Sequence, residues 1–365
     1  MQIGIIGLTT SGKTTVFNAL THGHADTSLA GSRKDPNRGV SHVPDERIDF
    51  LTDLCKPKKT TYASVEFTDV AGLSKGEGKE KGFSNEFLGH LRNMEALLLV
   101  IRVFKNESVP HPEGRIDPAR DLETILAELI LADMAIIENR LRRIDESWNK
   151  LADKRKELAA EKESMTRFHQ TLENNRPIIT AAPTSEEIDK YIRPYGLLSG
   201  KQILVLANIA DQTDSKEVER LVQLQTACAQ WNLTKIIMNA QLECDLLDFP
   251  EEEWSDYYQS VGLEGSAATE LIRESYRILR QQSFLTYGPD EVRAWTIPIG
   301  CSARQAAGKI HSDIERGFIR AEVMSFDDLK NLKTVDEVKK AGRFRLEGKE
   351  YVVQDGDIIT FRFSV

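Results

Sequence analysis

The stretch IGIIGLTTSGKTTVFNAL, Ile3 to Leu20, decides the fold of this chain. It opens with a short apolar run that is typical of a buried strand, and it closes with residues that suit the first turns of a helix. Between them lies Gly7-x-x-x-x-Gly12-Lys13-Thr14, the spacing of a loop whose backbone N–H groups cradle phosphate oxygens. The motif and its place between strand and helix predict a phosphate-binding loop.

The parts of this loop, residues 7–14 and hereafter the phosphate loop, have different predicted tasks. Glycines let the backbone curl so that its N–H groups point at phosphate, and the following helix adds its positive N-terminal end. We expect Lys13 to contact the β- and γ-phosphates and to act in catalysis, and the Thr14 hydroxyl to ligate Mg²⁺. The predicted nucleotide-binding residues here are Gly7, Thr10, Ser11, Gly12, Lys13, Thr14 and Thr15.

A second motif, VEFTDVAGL, offers the remaining contacts to a triphosphate. Asp69 is predicted to hold Mg²⁺, and the amide of Gly72 to face the γ-phosphate as part of the catalytic site. The next residue, Leu73, is apolar where many GTPases carry a glutamine that orients the attacking water. Intrinsic hydrolysis is therefore expected to be slow.

The base-binding segment is predicted at NIAD, Asn208 to Asp211, which follows an apolar run. Asp211 favours guanine, because a carboxylate accepts hydrogen bonds that adenine does not offer. Ile209 stands where GTPases of this class carry a lysine, so the pocket is altered. The alternative for Asp211 is a helix N-cap. The backbone of Ala240 is a further predicted contact to the base.

The wider pattern predicts an α/β protein with a mostly parallel sheet. Residues 1–117 and 198–282 alternate strand-like and helix-like segments and are predicted to form one nucleotide-binding domain. Residues 118–197 form a helical insertion whose apolar seam folds back as a coiled-coil hairpin near Asp153 to Lys156. A small α+β domain is predicted at residues 283–365. The seam consists of Ile130, Met134, Ile137, Leu141, Ile144, Trp148, Leu151, Leu158, Met165 and Leu172.

Composition restricts the kind of protein this is. The 365 residues carry 48 basic and 57 acidic side chains, a net charge of -9, which argues against a largely basic surface and hence against DNA as a partner. The scattered cysteines suggest reduced thiols, and apolar runs are too short to span a bilayer. We therefore expect a cytoplasmic protein without membrane contact and, by default, a monomer.

With these residues in view, the chain resembles the YchF family, also called Obg-like ATPases. The resemblance rests on PNRGVSHVPDERID, DVAGLSKGEGKEKGFSNEFLGHLRN and HPEGRIDPARDLETI, and on the C-terminal stretches RAWTIPIGCSARQAAGKIHSDIERGFIRAEV and RLEGKEYVVQDGDIITFRFSV. It covers nearly the whole length.

The resemblance implies a P-loop NTPase domain, a coiled-coil insertion and a C-terminal TGS domain with a ubiquitin-like β-grasp fold. It implies hydrolysis of ATP or GTP with Mg²⁺ and association with ribosomes or ribosomal RNA. It also implies that an apolar Leu73 is normal for the family and that His111 assists catalysis. The alternative for His111 is a surface residue, because it lies beside prolines in a stretch that suggests an exposed loop.

Three departures from the family pattern stand out. The phosphate loop lacks the family's usual asparagine. The switch segment reads Gly31-Ser32-Arg33-Lys34, so Ser32 is the hydroxyl left to contact the metal there. The family's N-x-x-E, associated with ATP, is N-x-x-D here, which leaves the choice between ATP and GTP open.

Three functional hypotheses follow from the sequence. The first is an NTPase that acts as a nucleotide-dependent switch, and the second is a nucleotide-binding scaffold for ribosome or RNA with little intrinsic hydrolysis. A small-molecule kinase is the third, and the motif around Asp69 and Gly72 weighs against it. Separately, the basic hairpin tip Lys154 to Lys156 is a candidate contact to RNA phosphates, with a solvated charged surface as the alternative.

Overall fold

A computed structural model describes residues 1–23, 25, 36–70, 83–148, 152–210 and 215–364, without the side chain of residue 152. The predicted site residues Ser32, Gly72 and Asp211 lie outside this part of the chain, as does Leu73. Two compact units form: Met1–Ser41 with Glu66–Leu271, and His42–Val65 with Ile272–Val365.

Strands and helices alternate along most of the chain. The strands are β1 (Gln2–Ile6), β2 (Asn37–His42), β3 (Lys59–Thr61), β4 (Ser64–Asp69), β5 (Ala96–Arg102), β6 (Gln202–Asn208), β7 (Thr234–Met238), β8 (Gln281–Thr286), β9 (Glu291–Pro298), β10 (Phe318–Ser325), β11 (Arg345–Glu347) and β12 (Asp357–Phe363). The helices are α1 (Lys13–Thr21), α2 (Glu46–Cys55), α3 (Asn85–Arg92), α4 (Pro118–Ser147), α5 (Arg155–Glu173), α6 (Ser185–Glu187), α7 (Arg193–Tyr195), α8 (Ser215–Gln230), α9 (Ala240–Leu246), α10 (Glu251–Ser260), α11 (Ala267–Ile278), α12 (Ala303–Ile310), α13 (Ser312–Arg316), α14 (Phe326–Leu332) and α15 (Val335–Lys340).

The first unit is built on a sheet of order β2-β4-β1-β5-β6-β7. Its β1–β4, β1–β5, β5–β6 and β6–β7 pairs are parallel. All residues of β5 are buried, as expected for a strand covered on both faces by helices. The mostly parallel α/β sheet predicted from the sequence is confirmed. Because parallel strands end at the same edge, the segments after β1, β4, β5 and β6 meet there.

Helix α4 packs against both the sheet and the helical hairpin of the first unit. It starts with the Asp117 side chain accepting the Arg120 N–H and with Pro118 in its first turn, a favourable helix start. Its first half buries Leu122 and Leu129 against the sheet. Its second half packs against α5, and the shared core contains Ile130, Ile137, Met165, Phe168 and Leu172.

The predicted inserted hairpin is therefore present, with two differences in its limits. α4 ends at Ser147 and α5 begins at Arg155, so Arg155 and Lys156 belong to a helix and not to the turn predicted at Asp153 to Lys156. The insertion was predicted to start at residue 118, yet the first turns of α4 are part of the core beneath the sheet. Hydrophobic spacing alone does not distinguish these two burial partners.

The second unit contains a sheet of order β11-β10-β12-β8-β9-β3. β8 and β9 form an antiparallel pair, β12 runs parallel to β8, and β10 is antiparallel to β12 and β11. Helix α12 packs its alanines onto the buried face of this sheet. A hairpin, a helix and a final strand inserted beside the first strand make the β-grasp arrangement, as predicted for the C-terminal region.

The edge of this second sheet comes from a distant part of the chain. β3 pairs in parallel with β9, and α2 lies in the same unit. The sequence prediction placed residues 42–65 in the nucleotide-binding domain, because they lie between two of its motifs. The difference arises because strand pairing between residues 59–61 and 291–293 leaves no local signal in the sequence.

Among the described helices, none combines the length and the apolar character that crossing a bilayer requires.

Candidate functional site

The phosphate loop has the geometry that its glycines predict. Gly12 adopts φ 92°, which side chains rarely allow, and a Cβ there would lie 2.3 Å from Asn208 Nδ2. A Cβ on Gly7 would lie 2.4 Å from the Val100 carbonyl oxygen of the neighbouring strand. Both positions need glycine for physical reasons. Gly12 precedes the first residue of α1, so free N–H groups and the positive end of the helix face the loop.

Lys13, near the end of this loop, is buried and only 7% exposed. Its Nζ donates to the Leu8 carbonyl oxygen at 2.9 Å. Burial lowers the pKa of Lys13 to about 8, although the nearby Asp69 carboxylate opposes this effect. An ammonium has three N–H donors, so Lys13 can bond the loop and still contact an anion.

The predicted metal-binding residues Thr14 and Asp69 are in direct contact. The Thr14 hydroxyl donates to Asp69 Oδ2 at 2.8 Å, joining the first turn of α1 to the end of β4. The Asn37 side-chain amide approaches the same oxygen at 3.4 Å. This oxygen pair suits Mg²⁺, which binds to one or two protein ligands together with substrate phosphates. Among the described residues, no group of three or more His, Cys, Asp or Glu side chains is placed to hold a metal ion, so a protein-only cage is not formed there.

The remaining phosphate-loop residues differ in how they are held. Thr10 has φ 63°, an uncommon value for a β-branched residue. The Ser11 hydroxyl is buried without a hydrogen-bond partner within the described ranges. Thr15 lies in α1, where its carbonyl oxygen accepts from the Cys244 thiol at 3.1 Å. α9 is thereby connected to the helix that carries the phosphate loop.

Asn208 and Ala240 were predicted to bind the base, and the structure brings them together. Asn208 Nδ2 donates to the Ser11 carbonyl oxygen at 3.0 Å, and its Oδ1 accepts from the Ala240 N–H at 3.2 Å. The Asn208 side chain thus connects the phosphate loop to the start of α9. Because this contact occupies the Ala240 N–H, the observed effect of Asn208 and Ala240 is to position the phosphate loop and the start of α9.

Ile209 is the other described residue of the predicted base segment. Its N–H donates to the Met238 carbonyl oxygen at 3.0 Å, and its side chain packs against the core beneath the sheet. The following Ala210 N–H bonds Glu217 Oε1 at 3.0 Å. These contacts fix the backbone immediately before Asp211.

His111 is buried instead of exposed on a loop. Its Nδ1 accepts from the Glu113 N–H at 3.2 Å, so Nε2 carries the proton and donates to Asp121 Oδ2 at 2.8 Å. Burial raises the pKa of Asp121, against the opposing effects of Arg120 and His111. Pro110, next to His111, accepts from the Thr10 hydroxyl at 3.5 Å, which places this segment beside the phosphate loop.

Comparison with known proteins identifies the family. A model described as a 50S ribosome-binding GTPase matches residues 2–140, and the model YchF-GTPase_C, described as a protein of unknown function, matches residues 281–364. A protein of Bacillus subtilis (strain 168) named ribosome-binding ATPase YchF is 40% identical over 369 residues, 100% of either chain. The chain belongs to the YchF/Obg-like ATPase family.

Other members of the YchF family agree in length and in fold. Obg-like ATPase 1 of Oryza sativa subsp. japonica is 37% identical over 368 residues, which cover 100% of this chain and 92% of that protein. The structure of the Schizosaccharomyces pombe YchF GTPase has a TM-score of 0.86 and 32% identity, covering 99% of this chain and 97% of the other.

Sequence reasoning missed two polar residues at the site of this YchF-family chain. Asn37 approaches the predicted metal-binding carboxylate, and Arg102 contacts Thr10 of the phosphate loop. A signal for Arg102 was present, since it is the charged end of the otherwise apolar run ALLLVIR. No comparable signal marks Asn37.

Proposed function

We propose that this YchF-family chain is a nucleoside triphosphatase that binds and hydrolyses ATP or GTP with Mg²⁺. The observation that carries the proposal is the contact between the Thr14 hydroxyl and the Asp69 carboxylate beside a buried Lys13. An anion-binding loop, a mobile cation and an oxygen pair for a hard metal ion are the parts that phosphoryl transfer needs.

The residues divide the work as follows. Phosphate-loop amides and Lys13 bind the β- and γ-phosphates and stabilise charge that develops on the γ-phosphoryl oxygens. Thr14 and Asp69 would hold Mg²⁺, which supplies positive charge between the phosphates when bound. The oxygen donors of Thr14 and Asp69 fit this ion. Gly72 and Ser32 keep the roles predicted for them, the γ-phosphate contact and a second metal contact.

The choice of base depends on two opposing indications. Relatives are named ATPases, which favours adenine, whereas Asp211 in the N-x-x-D pattern favours guanine. Calorimetry with Mg·ATP and Mg·GTP on the wild type and on Asp211→Glu decides between them. If Asp211 binds guanine, the wild type prefers GTP and the glutamate variant loses that preference.

Ribosomes are the proposed partner. The Bacillus subtilis and Escherichia coli O157:H7 relatives are both named ribosome-binding ATPases. The first unit, which holds the nucleotide-binding core and the helical insertion, is proposed to act together with the second unit, which holds the TGS domain and residues 42–65, in the cytoplasm. Lys154, Arg155 and Lys156 are exposed and remain the hypothesised RNA contact.

One observation favours the second candidate, a ribosome-associated scaffold with little intrinsic hydrolysis. Both ring nitrogens of His111 are engaged within the protein, so the ring has no free lone pair for a water molecule in this conformation. Hydrolysis is therefore expected to be slow until the segment that carries His111 rearranges.

Single-turnover phosphate release, measured with and without ribosomes, tests the main proposal and the alternative together. Release well above background in either condition supports the triphosphatase. Tight nucleotide binding without release in both conditions supports the scaffold. Absence of calorimetric binding for both Mg·ATP and Mg·GTP contradicts both.

A further inference from the structure

Arg102, the last residue of β5, is a buried cation beside the phosphate loop. It is 2% exposed, and its guanidinium makes five hydrogen bonds. Nη1 donates to the Thr10 carbonyl oxygen at 3.4 Å and to the Thr10 hydroxyl at 3.2 Å. Nη2 donates to the carbonyl oxygens of Asn106 at 3.4 Å and Val109 at 2.8 Å, and Nε to that of Phe104 at 3.3 Å.

These five bonds use all N–H donors of a guanidinium, and they all end on uncharged oxygens. In the described part of the chain, Arg102 forms no ion pair. The acid that acts on it electrostatically, Asp121, is itself bonded to His111 and Arg120. Burial lowers the pKa of Arg102, which reflects the cost of keeping this charge away from water.

A buried charge without a bonded counter-ion is costly, so its presence calls for a compensating interaction. The phosphate loop that Arg102 contacts is proposed to receive a polyanion. A fixed cation at this position favours that polyanion electrostatically, and the effect grows with the charge of the phosphate chain.

The contact with Thr10 adds a geometric effect. Thr10 has φ 63°, a left-handed conformation that costs energy for a β-branched residue. Arg102 bonds both the carbonyl and the hydroxyl oxygens of Thr10, which holds this conformation and the direction of the neighbouring loop amides. The same guanidinium holds the carbonyl oxygen of Val109, two residues before His111.

We propose that Arg102 is a positioning residue for triphosphate binding, which fixes the left-handed Thr10 and provides a buried positive charge next to the phosphate loop. It connects that loop to the segment 104–111. The inference rests on the proposed function, because it names a determinant of affinity in the same nucleotide site.

Two substitutions separate charge from geometry. Arg102→Met keeps an unbranched apolar stem and loses the charge and all five bonds. Arg102→Lys keeps the charge but has three donors, too few to replace the five bonds of the guanidinium. The matched control is Arg220→Gln, because Arg220 Nη1 also donates to a backbone carbonyl after β5, that of Val103 at 2.9 Å, and its bonds to Val103 and Lys216 do not reach the phosphate loop, residues 7–14.

Calorimetry with Mg·ATP and Mg·ADP, or with Mg·GTP and Mg·GDP where the wild type prefers guanine, and thermal unfolding give the readouts. We expect Arg102→Met to weaken ATP binding about tenfold or more, because it removes a buried positive charge near the phosphates and the charged-donor bonds that hold Thr10. ADP binding should weaken less, because ADP carries less charge. Arg102→Lys should recover most of the ATP-over-ADP preference but not the full affinity. Arg220→Gln should stay within about twofold of the wild type for both nucleotides.

Two results would overturn the inference: unchanged ATP affinity in Arg102→Met, or equal losses for ATP and ADP that Arg102→Lys does not reduce, which is the behaviour of a purely structural residue. If Arg102→Met does not fold, the double-mutant cycle of Arg102→Lys with Thr10→Val decides. Additive effects on ATP affinity contradict a direct contact, and non-additive effects support it. A wild type that binds neither ATP nor GTP contradicts the proposed function instead, so the two failures are distinguishable.

Discussion

Lys13 in the phosphate loop and Asp133 in the helical insertion are both buried charged residues, with exposures of 7% and 0%. Asp133 accepts from the N–H groups of Leu198 and Ser199 and from the Ser199 hydroxyl at 2.6–2.8 Å. Lys13 donates to one carbonyl oxygen, that of Leu8. Burial shifts both pKa values toward neutral forms, lowering that of Lys13 to about 8 and raising that of Asp133 to about 6.

The difference between these residues is spare hydrogen-bonding capacity. Leu198 and Ser199, in the segment that leads from the hairpin back to the sheet, donate to both oxygens of Asp133. The carboxylate therefore stabilises the connection between the hairpin and the sheet. Lys13 has donors that the described residues do not use, so its charge is available to a ligand. For this pair, the donors that Lys13 leaves unused indicate a ligand-binding role, whereas the bonds that Asp133 makes within the chain indicate a structural role. Arg102, whose donors are all used, differs from both, because it can act on a ligand only through its charge and through Thr10.

The largest expected effect comes from Lys13→Met, which removes the charge and keeps the length of the stem. Phosphate release should fall by roughly 10²- to 10³-fold, because an electrostatic contact to the transition state is lost. The free energy of unfolding without nucleotide should change by less than about 1 kcal/mol, because a desolvated ammonium is removed with little loss of packing. Single-turnover release and urea unfolding measure the two quantities. A large loss of stability would instead indicate that Lys13 has a structural role, as Asp133 does.

Asp133→Ala should show the opposite pattern. It leaves two buried N–H groups and one hydroxyl without their acceptor, which we expect to cost about 3 kcal/mol in the free energy of unfolding. Nucleotide affinity of the folded fraction should stay within about twofold, because the contact lies in the hairpin base. Urea unfolding and calorimetry test this. Unchanged stability would show that the bonds of Asp133 contribute little.

The stability lost in Asp133→Ala should depend on pH, which provides an independent check on the burial of this carboxyl. The pKa of Asp133 in the folded chain, about 6, is above its ordinary value of 3.8, so the folded state binds a proton more tightly than the unfolded state. The resulting stability is complete below about pH 4 and is lost as pH rises through about 6. Asp133→Ala should therefore cost about 1 kcal/mol more at pH 5 than at pH 7. A cost that is independent of pH would contradict the burial of this carboxyl.

The phosphate loop could be predicted because its geometry is local. Gly7 and Gly12 are required by close approaches within the loop and its neighbouring strands, and the motif encodes them at fixed spacing. The strand β5 and the helical hairpin were likewise predictable from apolar periodicity. The contact between Thr14 and Asp69, the predicted metal-binding pair, followed from two motifs that a parallel sheet brings to one edge.

The rest depends on contacts between distant residues. Asn208 was expected at the base, but its amide groups bond Ser11 and Ala240, which no local pattern encodes. β3 joins a sheet whose other strands begin more than 200 residues later. His111 sits between prolines in a stretch that suggests an exposed loop, and its burial depends on Asp121 of α4.

A smaller effect is expected from pH on nucleotide binding. Phosphates bind the ammonium form of Lys13 and raise its pKa, whereas in the free protein that pKa is lowered to about 8. Affinity should be nearly constant below pH 7 and should fall about fivefold from pH 8 to 9. Lys201, whose pKa is also lowered by burial to about 8, is the matched control. The profile should persist in Lys201→Met, and its disappearance there would assign it to Lys201.

The smallest effect is expected for His111. It decides whether this residue has a structural role like Asp133 or a role at the ligand like the one proposed for Lys13. Both ring nitrogens are bonded, as the oxygens of Asp133 are, so the conformation described here assigns His111 a structural role. His111→Asn should lower the free energy of unfolding by about 1 kcal/mol through the lost bond to Asp121. Phosphate release without ribosomes should change less than about threefold, a barrier difference of under 1 kcal/mol. Asp121→Asn is the control, because its amide oxygen can still accept from Nε2 but carries no charge. If His111→Asn reduces phosphate release far more than Asp121→Asn at equal stability, the ring leaves Asp121 during the reaction and acts at the phosphates, the role proposed for Lys13.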